Sequence, residues 1–162
     1  MPLIKDGQIS QDNWRHLADT DSLPAAGSIT VGLKRWQDER EALAQYGAPV
    51  GVRLLAEDSV EALGAYMAVL PLIVLDMRQF VDGRSFSQAR WIRDRLAYRG
   101  ELRARGDFLL DQVFYLKRVG VNAFEFENIT QAEHALPRLN EFSVRYQASS
   151  DTSQPLYRYR NA

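Results

Sequence analysis

The sequence predicts one α/β domain, in which strand–helix units follow one another along the chain and form a parallel sheet. Short apolar runs alternate with helical patterns from residue 28 onward, and this alternation is typical of right-handed βαβ units. A length of 162 residues suits a single hydrophobic core and is short for two. We therefore divide the chain into an N-terminal hairpin and extension at residues 1–27, an α/β domain at 28–147 and a flexible tail at 148–162.

The first predicted element is a short hairpin at residues 3–9, which turns at Asp6-Gly7, a pair suited to a tight turn with positive φ. Residues 13–18 fit a short helix. Five strands follow, each a short apolar or alternating run, at residues 28–33, 50–55, 71–77, 101–105 and 123–127. The third is the most apolar, which places it near the centre of the sheet.

Five helices are predicted between and after these strands. Pro137 weakens the middle of the last one, because proline removes a helical hydrogen bond. The helices are predicted at residues 36–46, 60–70, 86–97 and 108–119 and from Thr130 onward. Residues typical of helix ends bound them, namely Gly47, Pro49, Asp58, Ser59, Gly120 and a capping box from Thr130 to Glu133.

Charged residues occupy alternate positions of the last two predicted strands. Glu101, Arg103 and Arg105 alternate with apolar neighbours, as do Glu125 and Glu127. Parallel strands covered by helices on both faces are nearly continuous apolar runs, so one face of this sheet should lack helices. We therefore favour a half-barrel-like or singly wound sheet, with a homodimer as one way to complete it. A flavodoxin-like, doubly wound sheet is the alternative.

The composition excludes several classes of protein. A net charge of −1 argues against electrostatic binding of nucleic acid. The chain has no cysteine, which removes disulfides, thiolate nucleophiles and cysteine-ligated metal sites. No stretch approaches the roughly 18 apolar residues of a membrane span, and no leader is recognisable, so we expect a cytoplasmic protein with no membrane contact. The common nucleotide motifs G-x-G-x-x-G and G-x-x-x-x-G-K-[ST] are absent, as is the zinc motif H-E-x-x-H.

Polar residues follow the strands predicted at 71–77 and 101–105. Ligands of α/β proteins bind at the carboxyl ends of parallel strands, and the loops after paired strands should be neighbours. We therefore predict a site at this edge of the sheet. Its candidate residues are Asp76, Asp82, Gly83, Arg84, Arg105, Gly106 and Asp107.

Ser85 and Gln88 have the spacing of a capping box, with Ser85 as the N-cap of the helix at 86–97. The free N–H groups of the first turn, near Ser87, would then face the same edge as Arg84 and Arg105. Oriented N–H donors beside guanidinium groups favour oxyanions. Arg90, one turn further along, and Gln112, near the start of the next helix, would extend this site.

Simpler interpretations compete with a functional one. Asp107 precedes a predicted helix, where an aspartate commonly serves as the N-cap. Arg103 and Glu125 are compatible with a cross-strand ion pair inside the polar face. Asp76 is a candidate acid–base group, yet it has no evident second carboxylate, and we predict no metal site. His16 and His134 have no partners at ligand spacing, so surface or helix positions are expected for both.

Residues 82–112 read DGRSFSQARWIRDRLAYRGELRARGDFLLDQ and are followed by VGVNAFEFE and FSVRYQ. These segments resemble a bacterial domain-of-unknown-function family, number 934, whose members read D-G-R-x-[YF]-S-x-A-R-x-[LI]-R and then G-E-L-R-A-x-G-D-V-x-x-D-Q. The resemblance covers about residues 28–147. The chain departs from the family at Phe108, where valine is usual, and at Asn122, where aspartate is usual. The residues that match the motifs are Asp82, Gly83, Arg84, Ser87, Arg90, Glu101, Arg103, Gly106, Asp107 and Gln112.

The resemblance implies a place in sulfur assimilation beside sulfite reductase and phosphoadenylyl-sulfate reductase, and an oxidoreductase activity. Our leading hypothesis is an accessory protein of assimilatory sulfate and sulfite reduction, with an oxyanion or nucleotide-phosphate site at the strand ends. As an enzyme it would use Asp76 or Asp107 as the acid–base group, and redox chemistry would need a bound cofactor. Flavin and NADPH are the candidates, although no motif supports either. The alternative is a non-enzymatic partner that docks on one of the two reductases.

Overall fold

The strands and helices alternate through most of the chain, as the apolar runs predict. The computed structural model describes the backbone of residues 1–161 and the side chains of residues 1–158. Its strands are β1 (Pro2–Lys5), β2 (Gln8–Gln11), β3 (Arg15–His16), β4 (Ile29–Gly32), β5 (Val50–Leu54), β6 (Leu72–Met77), β7 (Glu101–Gly106) and β8 (Ala123–Glu125). Its α-helices are α1 (Leu33–Asp38), α2 (Arg40–Ala44), α3 (Arg84–Asp94), α4 (Gln112–Arg118) and α5 (Ile129–Arg138). Two 3₁₀ helices span Val60–Tyr66 and Leu156–Asn161.

All eight strands belong to one sheet, whose order is β2-β1-β8-β7-β6-β5-β4-β3. From β3 to β8 the strands are parallel and lie in chain order, and β1 is antiparallel to both β8 and β2. A flavodoxin-like sheet reverses its order at a switch point, and the parallel strands within residues 1–161 show no reversal. The half-barrel, singly wound prediction and the N-terminal hairpin are therefore confirmed, and the doubly wound alternative is wrong.

The two faces of the sheet have opposite chemistry. On the convex face, apolar side chains such as Val52, Ile73 and Leu102 join the hydrophobic core beneath the helices. Neighbouring positions on the same strands, such as Arg53 and Arg103, face the concave side. Because side chains alternate between the faces of a strand, the charged alternate positions predict this division.

The concave side is closed by a short crossing segment. A flat sheet of eight strands would hold its edges about 34 Å apart, at about 4.8 Å per strand. Only residues 12–14 join β2 to β3, and a segment of that length reaches no more than about 14 Å. The sheet must therefore curl until its edges approach one another. We call residues 12–14 the strap.

Several predicted elements differ from the structure. Residues 13–18 are not a helix, because Arg15 and His16 pair with Ile29 and Thr30 as β3. The helix predicted at 60–70 is a 3₁₀ helix, and Gly64 lies in its middle, where glycine disfavours an α-helix. The helix predicted at 36–46 is divided into α1 and α2 at Glu39. The helix predicted at 108–119 begins only at Gln112, because Phe108 packs on Phe126 instead.

The C-terminal segment has local structure as far as it is described. Ser149 and Thr152 form an isolated bridge, and a 3₁₀ helix spans Leu156–Asn161. The flexibility predicted for residues 148–162 stays a prediction, and Ala162 lies outside the described residues. Within residues 1–161, every helix is too short or too polar to cross a membrane.

Candidate functional site

A network of charged side chains fills the concave side of the half-barrel. Arg103 lies at its centre and is fully buried. Its Nη2 is 2.7 Å from Glu101 Oε1, and its Nη1 is 2.9 Å from Asp12 Oδ2 and 3.3 Å from Glu125 Oε2. Burial alone would lower the pKa of Arg103, but Glu101 and Asp12 outweigh it and raise the pKa. The predicted Arg103–Glu125 ion pair is therefore confirmed, and it belongs to a larger set of contacts.

Glu125 is the carboxylate of the network that contacts three basic side chains. Its oxygens lie 2.9 Å from His16 Nε2, 3.3 Å from Arg103 Nη1 and 3.1 Å from Arg105 Nε. Burial by itself would raise the pKa of Glu125. The hydrogen bond and charge of His16, together with the two guanidinium groups, reverse that effect and lower the pKa to about 2. Glu125 is therefore ionised throughout the neutral range.

His16 and Asp12 belong to the network, although neither was predicted there. His16 is not a surface residue: its Nδ1 lies 2.6 Å from Thr30 Oγ1 and its Nε2 contacts Glu125. Asp12 lies in the strap and reaches across the concave side to Arg103. The sequence holds one signal for these two residues. Ser10, Asp12 and His16 are polar and are separated by even numbers of residues, as side chains on one face of a strand are.

Asp12, His16 and Glu125 have the spacing of metal ligands. One ligand atom from each lies within 4.8 Å of the others. However, the same guanidinium nitrogen of Arg103 contacts both carboxylates. These two acids therefore already have a cation as their partner, and a metal ion would have to displace a buried arginine.

The network reaches solvent at the carboxyl ends of the parallel strands, which we call the mouth. Asp76 and Arg105 are 22% and 29% exposed there, and their side chains approach to 3.1 Å. Arg53 Nε lies 3.9 Å from the same Asp76 carboxylate, and Arg53 Nη2 donates to the Leu17 carbonyl oxygen at 2.6 Å. Burial and then the charge of Arg105 lower the pKa of Arg53, against the opposing effect of Asp76. Two guanidinium groups thus share one carboxylate at the mouth.

A pocket of about 200 Å³ opens beside the mouth. It brings together four of the predicted site residues, Asp76, Asp82, Arg84 and Ser85, and Glu57 and Arg78 also line it. Arg84 Nη2 lies 2.7 Å from Asp82 Oδ2, and Asp82 Oδ1 accepts the backbone N–H of Arg84 at 3.1 Å. The hydrogen bonds from Arg84 lower the pKa of Asp82 to about 2.

The start of α3 differs from its prediction. Ser85 is not the N-cap, because the helix begins at Arg84 after Gly83, and Ser85 is buried in the first turn. Asp82 takes the N–H of Arg84 that an anion would use. Ser87 is exposed on the helix, and Arg90 pairs with Asp94 at 3.1 Å. Arg90 therefore faces a helical neighbour, and no contact of Arg90 with the mouth pocket is seen among the described side chains.

The loops after β6 and β7 are neighbours, as predicted. Asp107 is not a helix N-cap: its carboxylate accepts the N–H of Phe80 at 3.2 Å. Gln112 donates to the Phe80 carbonyl oxygen at 2.9 Å. Gly106 has φ +98°, and a Cβ there would overlap the backbone of Met77, so the close approach of these strands requires glycine. Asp107 and Gln112 thus hold the two loops together beside the pocket.

A family model described as a bacterial protein of unknown function, DUF934, matches residues 51–157. The chain belongs to the DUF934 family. None of the curated proteins matches it. The DUF934 match includes Arg53, Asp76, Arg103, Arg105 and Glu125, and so it covers most of the network. The strap and His16 lie outside the matched residues.

Proposed function

We propose that this DUF934 protein binds a small oxyanion at the mouth of its half-barrel, as an accessory protein of assimilatory sulfate and sulfite reduction. The observation that carries the proposal is the sharing of Asp76 by Arg53 and Arg105. Arg53 and Arg105 contact Asp76, and Arg105 also contacts Glu125. Arg78 and Arg84 line the adjoining pocket with Glu57, Asp76 and Asp82, and guanidinium groups there would donate charge-assisted hydrogen bonds to a bound oxyanion.

The size of the pocket supports an inorganic anion over a whole nucleotide. Pockets for drug-sized ligands usually have volumes of about 300–1,000 Å³, and this one has about 200 Å³. Its lining is rich in charged side chains, and among the described side chains that form it none is aromatic, as a flavin ring would need. The resemblance to proteins associated with sulfite reduction supports sulfite or sulfate as the anion.

Asp76 is the residue that we propose as an acid–base group if the protein is an enzyme. It contacts Arg105 and also lines the pocket, so a bound oxyanion would lie beside its carboxylate. Asp107 is a weaker candidate, because its carboxylate already accepts the N–H of Phe80. Redox chemistry would require a cofactor, since the chain has no cysteine.

Calorimetric titration tests the oxyanion site. We expect sulfite or sulfate to bind the wild-type protein at low ionic strength, and Arg84→Ala to weaken that binding by about tenfold or more, because a charge-assisted hydrogen bond is lost. Arg99→Ala, an exposed arginine remote from the pocket lining, is the matched control and should change binding less than twofold. Flavin mononucleotide and NADPH are titrated in parallel. Absence of both sulfite and sulfate binding by the wild-type protein would refute the proposal, even if flavin mononucleotide or NADPH binds.

Docking on a reductase is the second candidate function. Three large apolar side chains, Phe80, Val81 and Leu109, are exposed on the loops that flank the pocket, and Val81 is 71% exposed. Exposed apolar groups with charged neighbours are typical of protein-binding surfaces. We propose sulfite reductase or phosphoadenylyl-sulfate reductase as the partner.

A pull-down of purified reductase tests this second function. Val81→Asp should reduce capture at least fivefold, whereas Val144→Asp, an exposed valine in the C-terminal segment, should leave it unchanged. Capture should also fall as salt is added, because Phe80 and Val81 lie in sequence between the charged residues Arg78 and Asp82. Equal capture by the two variants would exclude this surface.

A further inference from the structure

A second cleft, with a volume of about 570 Å³, lies at the opposite end of the sheet from the mouth. Val50, the first residue of β5, and Pro71, just before β6, mark the amino ends of those strands and line the cleft. The six residues of β6 separate it from the mouth by roughly 20 Å. Ligand binding in this cleft would therefore be independent of the proposed oxyanion site.

The walls of this cleft are aromatic and aliphatic. Trp36 and Tyr66 meet edge to face, with ring centroids 4.9 Å apart. Leu43 and Leu70 line it as well and are buried, whereas Val69 on its rim is 74% exposed. The volume lies within the range of about 300–1,000 Å³ that is usual for small-molecule sites. A cleft of this size, lined by aromatic and aliphatic side chains, is suited to an apolar ring system.

One cation stands at the rim of the cleft. The Arg40 guanidinium lies 4.9 Å from the centre of the Tyr66 ring and donates to the Tyr66 hydroxyl. Among the side chains of residues 1–158, no carboxylate forms an ion pair with Arg40. Its charge is thus held beside an apolar surface without a counterion.

We propose that the cleft binds a small planar, apolar compound that carries one anionic group. The ring system packs against Trp36 and Tyr66, and the anionic group accepts hydrogen bonds from Arg40. A planar guanidinium favours carboxylate, sulfonate or phosphate, because its fork of N–H groups matches their oxygens. The Arg40–Tyr66 contact holds the guanidinium in place before the ligand arrives, which lowers the entropy cost of binding.

Two dyes with the same ring systems test both parts of the proposal. 8-Anilinonaphthalene-1-sulfonate carries a planar, apolar naphthalene ring and one sulfonate, and N-phenyl-1-naphthylamine lacks the sulfonate. We expect the sulfonate to bind the wild-type protein saturably, with one-to-one stoichiometry and increased fluorescence. Arg40→Gln should weaken binding of the sulfonate by about tenfold and should weaken binding of the neutral amine by less than twofold.

Two further variants locate the dyes. Ala44→Trp fills the cleft from an exposed position of α2 and should abolish binding of both dyes. Val144→Ser, which removes exposed apolar surface outside the cleft, should leave both unchanged. Lack of saturable binding by the wild-type protein, or binding that survives Ala44→Trp, would overturn the cleft as a ligand site. An equal effect of Arg40→Gln on the two dyes would overturn the anionic group.

Discussion

Replacing Arg103 with methionine is expected to lower the free energy of unfolding by about 3–5 kcal/mol, because it breaks a buried ion-pair network on one side only. Methionine keeps much of the side-chain volume but supplies no donor. Asp12, Glu101 and Glu125, each in contact with Arg103, would then lose a shared cation. Lys5 would stay beside Glu101 and Arg105 beside Glu125, so the largest cost falls on Asp12, a buried carboxylate that keeps no ion-pair partner among the described side chains.

Urea denaturation followed by tryptophan fluorescence measures this effect. Arg99→Met, at an exposed position, is the matched control and should change stability by no more than about 0.5 kcal/mol. If the methionine variant does not fold, Arg103→Lys retains the charge and should lose less stability than methionine would. The difference between wild type and Arg103→Met should narrow as the pH falls below about 4, since protonation relieves the uncompensated carboxylates. A difference that is independent of pH would indicate a packing role instead.

The wild-type protein should lose about 3 kcal/mol of stability through Glu125 alone as the pH falls from 4.5 to 2. The hydrogen bond from His16 and the adjacent charges lower the folded-state pKa of Glu125 to about 2, against the opposing effect of burial, whereas its ordinary value is 4.5. The unfolded chain therefore takes up a proton at a higher pH than the folded one. One pKa unit corresponds to about 1.4 kcal/mol. The contribution is complete above the ordinary value and is lost below it.

Unfolding free energies measured between pH 2 and 6 test this prediction. Glutamine cannot titrate. Between pH 4.5 and 2 the unfolding free energy of Glu125→Gln should therefore fall by about 3 kcal/mol less than that of the wild-type protein. Glu127→Gln, at an exposed position two residues away, should follow the wild-type curve. Parallel curves for wild type and Glu125→Gln would show that Glu125 is not the titrating group.

The sheet was predictable from local patterns. Alternation of Glu101, Arg103 and Arg105 with apolar neighbours indicates a sheet with one polar face, and the structure confirms it. Helix boundaries were less predictable, since tertiary contacts decide them. Phe108, for example, packs on Phe124 and Phe126, and the helix begins only after it, at Gln112. The strand β3 has only two residues, which is too short for an alternating pattern to be recognised in the sequence. It forms because the edge of β4 is free to pair with it.

The candidate site was predictable where its partners lie on adjacent strands. Arg103 of β7 is in register with Ala123 of β8, two residues from Glu125. The Arg103–Glu125 ion pair therefore follows once β7 and β8 are adjacent. His16 reaches Glu125 across 109 residues of sequence, and no local pattern encodes that contact. Ser85 was misassigned as the N-cap because the helix begins one residue earlier, at Arg84, whose N–H donates to Asp82. A capping pattern in the sequence does not by itself fix the residue at which a helix begins.

The pairing of β1 with β8 has a consequence for synthesis on the ribosome. Leu3 pairs with Glu125, so β1 can pair with β2 early but meets β8 only after nearly the whole sheet has been synthesised. The strap cannot cross the concave side until β1 has paired with β8. Until then Arg103 lacks its contact with the Asp12 carboxylate. Domains tend to fold as their chains emerge from the ribosome. During synthesis of this chain, the charged concave face of the partly formed sheet would be exposed to solvent. Docking of the N-terminal hairpin would then be a late folding step, and it would exclude water from the charged network on the concave side.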